Sequence, residues 1–122
     1  MYGSVEIGIE IQQERGNLLV KLQGELDHHA AGKIREAVDR EWEKDLAENI
    51  IFDLNYLKFM DSSGVGVIMG RYKQVVATGG KIVLCGLSSY IAKIIELSGL
   101  QKLVYIYEEV EDALQALDKE SR

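Results

Sequence analysis

The N-terminal part of the chain has the apolar spacing of a β-hairpin. Residues 5–11 carry an apolar side chain at every second position, which predicts a half-buried strand. Residues 18–22 form a second apolar run, and an Arg-Gly-Asn segment at residues 15–17 is typical of a turn. We therefore predict two paired strands, with the second ending at Gly24.

Four later segments have apolar residues three or four positions apart, as amphipathic helices do. Their first apolar residues are Ala30, Val65, Ile91 and Val110. Asp27, just before the first of them, is a residue type that caps helices. Short apolar runs at residues 50–54, 81–85 and 103–107 predict three further strands.

The predicted order of elements is β-β-α-β-α-β-α-β-α. A strand, a helix and a further strand form the parallel crossover unit, so this order indicates an α/β fold. We expect a single domain with a mostly parallel mixed sheet, an N-terminal antiparallel hairpin and about four helices. The helices must cover at least one face of the sheet.

Composition fits a single globular domain over residues 1–122. Hydrophobic residues make up 47% of the chain and charged residues 28%, and no proline or low-complexity segment marks a linker. The one cysteine, Cys85, lies in an apolar run, which predicts a buried, reduced thiol and a cytoplasmic location. One cysteine and two histidines are too few for a metal site.

The net charge of -6 disfavours some classes of partner. The 14 basic residues are scattered rather than clustered, so direct binding of nucleic acid is not expected. An acidic protein should prefer a basic face on its partner. We expect neither a secretory signal nor a membrane helix, because no uncharged apolar run approaches about 20 residues.

Residues 59–66, with the sequence F-M-D-S-S-G-V-G, form the first candidate functional segment. They follow a predicted strand and lead into a helix that should begin near Ser63, and functional loops lie at such strand ends. A helix N-terminus favours negative charge, including a phosphate attached to a serine. Gly64 and Gly66 would allow a partner to approach the backbone. The alternative is that Ser62 or Ser63 merely caps the helix.

Residues 24–29, with the sequence G-E-L-D-H-H, form the second candidate segment. They follow the second strand and lead into the first helix. The segment by itself is also explained by a capping Asp27 and two solvated histidines. A metal site on His28 and His29 would need a third ligand, and the sequence suggests none.

Neither segment has an established catalytic pattern. The nucleophile elbow G-x-S-x-G is absent, because Met60 and Asp61 precede the serines. A triad of Ser62, His28 and a carboxylate is disfavoured, and no phosphate-binding P-loop occurs. The chain is therefore not expected to be an enzyme, and no cofactor is implied.

The two segments, with G-R-Y-K-Q at residues 70–74 and S-G-L at residues 98–100, resemble the STAS family. They are most similar to its sporulation anti-anti-sigma factors, those of the sigma F pathway. The resemblance covers about residues 5–117, which we take as the core of the domain. Two separated motifs agree with it in order and spacing.

The resemblance implies a regulatory mechanism. Such proteins bind an anti-sigma factor that is also a serine kinase, and binding releases the sigma factor. The kinase phosphorylates the serine after the Asp of D-S-S-G, here Ser62, and a phosphatase restores the unphosphorylated form. The expected partner-binding residues are Asp27, Asp61, Ser62, Ser63, Gly64 and Gly66. The family also includes domains that bind nucleotides or small ligands, which is the alternative function.

Overall fold

The computed structural model describes residues 6–120. Its elements are β1 (Gly8–Glu14), β2 (Asn17–Leu26), α1 (His28–Trp42), β3 (Asn49–Met60), α2 (Ser62–Val76), β4 (Ile82–Cys85), α3 (Ser89–Ser98), a short 3-10 helix (Leu100–Lys102), β5 (Tyr105–Tyr107) and α4 (Val110–Glu120). The predicted order of strands and α-helices is confirmed.

The five described strands form one sheet in the order β1-β2-β3-β4-β5. The first two strands pair antiparallel as the predicted hairpin, and every later pair is parallel. The predicted α/β fold with a mostly parallel mixed sheet is therefore confirmed.

The helices cover both faces of the sheet, and alternate residues of each strand face opposite sides. Ile50 and Phe52 belong to the main core together with residues of α1, α2 and α3. Ile51 and Val83 face the other side, where they pack with residues of α4. Asp27 caps α1, as predicted, through a hydrogen bond from the Ala30 amide to its carboxylate of 3.0 Å.

Several predicted boundaries are wrong near the sheet edges. The first strand was expected over residues 5–11 but begins at Gly8 and ends at Glu14; residue 5 lies outside the described part. The second strand does not end at Gly24. This glycine has a φ of 107°, and β2 continues through it to Leu26. The last strand begins at Tyr105, because Leu103 and Val104 form the turn that follows the 3-10 helix.

The largest error concerns β3, which was expected over residues 50–54 but runs to Met60. Its register with β2 shifts twice, and each shift places one extra residue in β3. These irregularities break the two-residue alternation that identifies a strand in a sequence. As a result Leu54, Leu57 and Met60, spaced by three, are all buried.

The extra length of β3 builds a two-stranded ribbon that projects beyond the rest of the sheet. The last residue of β4, Cys85, lies opposite Asp53, so β3 continues for seven residues past its pairing with β4. On its other side it stays paired with β2 as far as Leu26 and Met60. Both candidate segments therefore begin at the same end of this ribbon.

Cys85 is fully buried, as predicted, and burial together with nearby Asp53 raises the pKa of its thiol to about 12. We expect the native protein to resist a thiol-specific reagent at pH 8 and to react once unfolded in guanidinium. A Leu97→Cys variant is the control, since Leu97 is 74% exposed and its thiol should react at once.

The same thiol should affect stability at high pH. Because the folded-state pKa is raised, the unfolded chain loses the thiol proton first, and the free energy of unfolding falls as pH rises above about 8.5.

In the labelling experiment, equally fast reaction of the native wild type and of Leu97→Cys would contradict the burial of Cys85.

Candidate functional site

The D-S-S-G segment forms the junction between β3 and α2. Asp61 is the N-cap, and its Oδ1 accepts a hydrogen bond of 2.8 Å from the Ser63 amide. The Gly64 amide donates to the Asp61 carbonyl over 3.0 Å, which closes the first turn. Ser62 is thus the first residue of α2, as expected from its position between a strand and a helix.

The Ser62 side chain is not used by the fold. The idea that Ser62 or Ser63 caps the helix is wrong, because the Asp61 carboxylate occupies that role. Ser62 is exposed, and within residues 6–120 its hydroxyl makes no hydrogen bond. It stands at a helix N-terminus, where the peptide dipoles favour negative charge.

The two candidate segments lie side by side. Leu26 and Met60 are paired in the sheet, and the Asp61 amide donates to the Leu26 carbonyl over 3.4 Å. Each of these residues is followed by an aspartate that caps a helix, Asp27 for α1 and Asp61 for α2. The structure therefore brings together two helix N-termini and two carboxylates on adjacent strands.

The cap hydrogen bond fixes the charge of Asp27. The bond from the Ala30 amide lowers the pKa of the Asp27 carboxyl below its ordinary value, so the group is negative at neutral pH. His28 and His29 after it are both exposed, with ring centroids 6.1 Å apart. Among the described residues, no cluster of histidine, cysteine and carboxylate side chains has the arrangement of a metal site.

The two glycines of the segment have different environments. Gly64 is buried, and a Cβ there would lie 2.5 Å from Cγ of Met60 and 3.1 Å from Cδ1 of Leu26. Its lack of a side chain serves packing, and the expectation of an open backbone does not hold for it. Gly66 is exposed, and a Cβ there would meet no atom within 4 Å. An approaching surface can therefore reach the backbone of α2 at Gly66.

An ion pair between the buried Arg71 and the half-buried Asp39 joins α2 to α1. Nε of Arg71 lies 3.1 Å from Oδ1 of Asp39 as an ion pair, and it donates a hydrogen bond to Oε1 of Gln74 over 3.2 Å. Desolvation lowers the pKa of the Arg71 guanidinium, which is buried. Arg71 of the G-R-Y-K-Q segment thus links two helices that begin beside each other at the site.

Tyr90, in the first turn of α3, is a neighbour of the site that the sequence did not indicate. Its hydroxyl donates to the Met60 carbonyl over 3.2 Å, and its ring stacks on Phe59 with centroids 6.2 Å apart. The contact joins residues 30 positions apart in the chain. No local pattern signals it, because Tyr90 belongs to a different helix.

A cleft of about 540 Å³ lies elsewhere, near the carboxyl ends of β4 and β5. Its lining includes Ser88 and Gln101, and also the carboxylates Glu108 and Glu109. Two adjacent negative charges disfavour the phosphates of a nucleotide. The cleft therefore gives no support to the alternative of a nucleotide-binding domain.

Comparison with known proteins identifies relatives over most of the chain. Residues 8–113 match the STAS domain. The chain is 39% identical to an anti-sigma F factor antagonist of Paenibacillus polymyxa, over 93% of this chain and 97% of the relative. It is 31% identical to an anti-sigma-B factor antagonist of Listeria monocytogenes, over 84% of this chain and 90% of that protein.

Solved structures show the same similarity. The anti-sigma factor antagonist SpoIIAA in its unphosphorylated form is 28% identical, with a TM-score of 0.72 over 92% of this chain and 96% of that one. The Bacillus cell fate determinant SpoIIAA in the phosphorylated form is 31% identical, with a TM-score of 0.73 over 90% of this chain and 99% of that one.

Among residues 6–120, none of the helices combines the length and the apolar character needed to cross a bilayer. The predicted domain limits, 1–122 with a core of about 5–117, remain a prediction. The family match, the two similar relatives and the sheet topology agree, and this chain belongs to the STAS domain family.

Proposed function

We propose that this chain is an anti-sigma factor antagonist controlled by phosphorylation of Ser62. In its unphosphorylated form it binds an anti-sigma factor with serine kinase activity, and the sigma factor is released. A phosphoserine phosphatase reverses the modification. The observation that carries the proposal is the exposed, unpartnered Ser62 hydroxyl beside two capping aspartates, in a chain whose relatives are named as anti-sigma factor antagonists.

The setting of this activity belongs to the same proposal. The similarity to an anti-sigma F factor antagonist supports a role in sporulation, and the reduced, buried Cys85 is compatible with the cytoplasm. The chain acts as the substrate of the kinase and is not itself an enzyme. The γ-phosphoryl group of ATP is transferred to the Ser62 oxygen, the hydroxyl proton passes to a base of the kinase, and ADP leaves.

The fold can accept this phosphate. Ser62 is exposed at the first position of α2, so the added group extends into solvent and displaces no packed side chain. The helix dipole offsets part of its charge of about -1.5 to -2. We therefore expect β3 and α2 to keep their positions after phosphorylation.

A bound partner cannot accept the phosphate so easily. Phosphate at Ser62 adds to the negative charges of Asp61 and Asp27, and it adds bulk where an interface must be closely packed. A loss of about 3 kcal/mol in binding free energy changes affinity about a hundredfold. The modification thus changes the choice of partner through one local charge.

The proposed contact surface consists of the residues that this junction exposes. Asp27 and Asp61 supply negative charge for a basic group of the partner, while Ser62, Ser63 and Gly66 form the first turns of α2. Gly64 contributes indirectly, since its missing side chain lets Met60 and Leu26 pack beneath the turn.

We expect Ser62→Ala to bind the anti-sigma factor like the wild type but to take up no phosphate. The substitution removes the acceptor oxygen of an exposed side chain and leaves the Asp61 cap intact. The measurement is incubation with the anti-sigma factor and ATP, followed by mass spectrometry. Ser63→Ala is the matched control: it keeps the Ser62 hydroxyl, so with the anti-sigma factor in excess it should still take up one phosphate. Normal phosphate uptake by Ser62→Ala would refute the assignment.

We expect Asp27→Asn to weaken binding of the anti-sigma factor by about 1–3 kcal/mol, because a charged hydrogen bond is lost. The melting temperature at pH 7 should hardly change, since Asn caps helices about as well as Asp. The folded-state pKa of the Asp27 carboxyl is lowered, so its contribution to the free energy of unfolding is lost as the pH falls below about 3.9. The variant lacks this titrating group and should not show that loss.

Calorimetric titration and thermal melts of both proteins measure these effects. If the affinity of Asp27→Asn equals that of the wild type, Asp27 is only a helix cap.

We expect Gly66→Ala to raise the free energy of unfolding by about 0.5–1 kcal/mol and yet to weaken partner binding. The new methyl group meets no atom of this chain and stands on the proposed contact surface. Gly70→Ala is the comparison, because it also has open space on α2 but lies about 12 Å along the helix from Ser62, against about 6 Å for Gly66, so it should stabilise the helix equally and weaken binding less. Denaturant titration and calorimetry measure both quantities, and unchanged binding would remove Gly66 from the surface.

A further inference from the structure

The projecting end of β3 has one open edge. From Tyr56 to Met60 the strand pairs with β2. On its other edge β4 ends opposite Asp53, and no other strand within residues 6–120 pairs there. Backbone groups on such an edge need other partners. At the end nearest Ser62, the partner comes from α3.

Tyr90 supplies it. Its hydroxyl donates to the Met60 carbonyl over 3.2 Å, and its ring stacks on Phe59 at an interplanar angle of 28°. The Tyr90 residue nevertheless remains 49% exposed. Two contacts thus hold an aromatic ring in a fixed orientation, with about half of its surface free, beside the peptide that precedes Asp61.

We propose that Phe59 and Tyr90 form an aromatic contact site for the kinase of the proposed function, with Tyr90 as its principal anchor. The inference rests on that function and adds an uncharged contact to it. Asp27 and Asp61 would attract the partner, and the aromatic pair would contribute close packing beside them.

The size of a stable protein interface supports the kinase as the partner that contacts Tyr90. A typical interface covers about 800 Å² on each partner, which corresponds to a radius of about 16 Å. The Tyr90 hydroxyl lies within about 13 Å of the Ser62 Cα, given its 3.2 Å bond to Met60 and the short backbone path between. A kinase interface of this size centred on Ser62 therefore reaches as far as Tyr90.

The state of Tyr90 before binding favours an anchoring role. Tyrosine is enriched among the few residues that dominate interface energies. Its ring is already held by Phe59 and by the Met60 carbonyl, so little side-chain freedom remains to be lost on binding. Burial of its exposed half then adds directly to affinity.

The test is calorimetric titration of this protein with the anti-sigma F factor encoded in the same genome, in the presence of a non-hydrolysable ATP analogue. We expect Tyr90→Ala to weaken binding at least about tenfold and Tyr90→Phe, which keeps the ring, to stay within about threefold of wild type. Tyr105→Ala is the matched control, since Tyr105 is 47% exposed but lies on β5, and its affinity should not change.

A measurement without substitution guards against a folding defect. Hydrogen exchange of the wild-type chain should slow in the first turn of α3, around Tyr90 and Ile91, when the anti-sigma F factor is added. Absence of protection there, or a Tyr90→Ala variant that binds like wild type, overturns the inference. A Tyr90→Phe variant as weak as Tyr90→Ala also overturns it, because the hydroxyl bond would then be the cause.

These outcomes differ from a failure of the proposed function. In that case the wild-type chain itself would show no binding to the anti-sigma F factor and no phosphate at Ser62.

Discussion

The parallel pairing of β2 with β3, maintained as far as Leu26 and Met60, is the constraint on which the site depends. It places the ends of two strands next to each other, beyond the end of β4. Each strand then passes into a helix through a capping aspartate, so Asp27 and Asp61 lie side by side. Without the two extra residues in β3, its end would not meet the end of β2 in this register.

The parts of this arrangement that local chemistry determines could be predicted from the sequence. The helix over residues 28–42 and its cap at Asp27 follow from residue types within a few positions of each other. The length of β3 could not be predicted, because its irregular register hides the alternation of a strand. Asp61 and Ser62 are both good capping residues, so only the geometry shows that Asp61 has this role.

Tyr90 illustrates a different limit, since its contact with Met60 depends on how α3 packs against the ribbon. At the junction of β3 and α2, the residues that hold the fold are different from the residue proposed to be phosphorylated. The turn between β3 and α2 is held by the Asp61 cap and by the buried Met60 side chain, which packs against Gly64 because that residue has no side chain. Ser62 is left outside this set, so its charge can change while the contacts that define the fold remain.

The central claim is that phosphate on Ser62 changes binding without changing the fold. The most direct measurement compares the unphosphorylated and the Ser62-phosphorylated protein, by amide chemical shifts and by calorimetric titration with the anti-sigma factor. We predict shift changes confined to residues near the β3–α2 junction, together with an affinity lower by about a hundredfold or more. Equal affinity of the two forms, or loss of the α2 resonances on phosphorylation, would contradict the account.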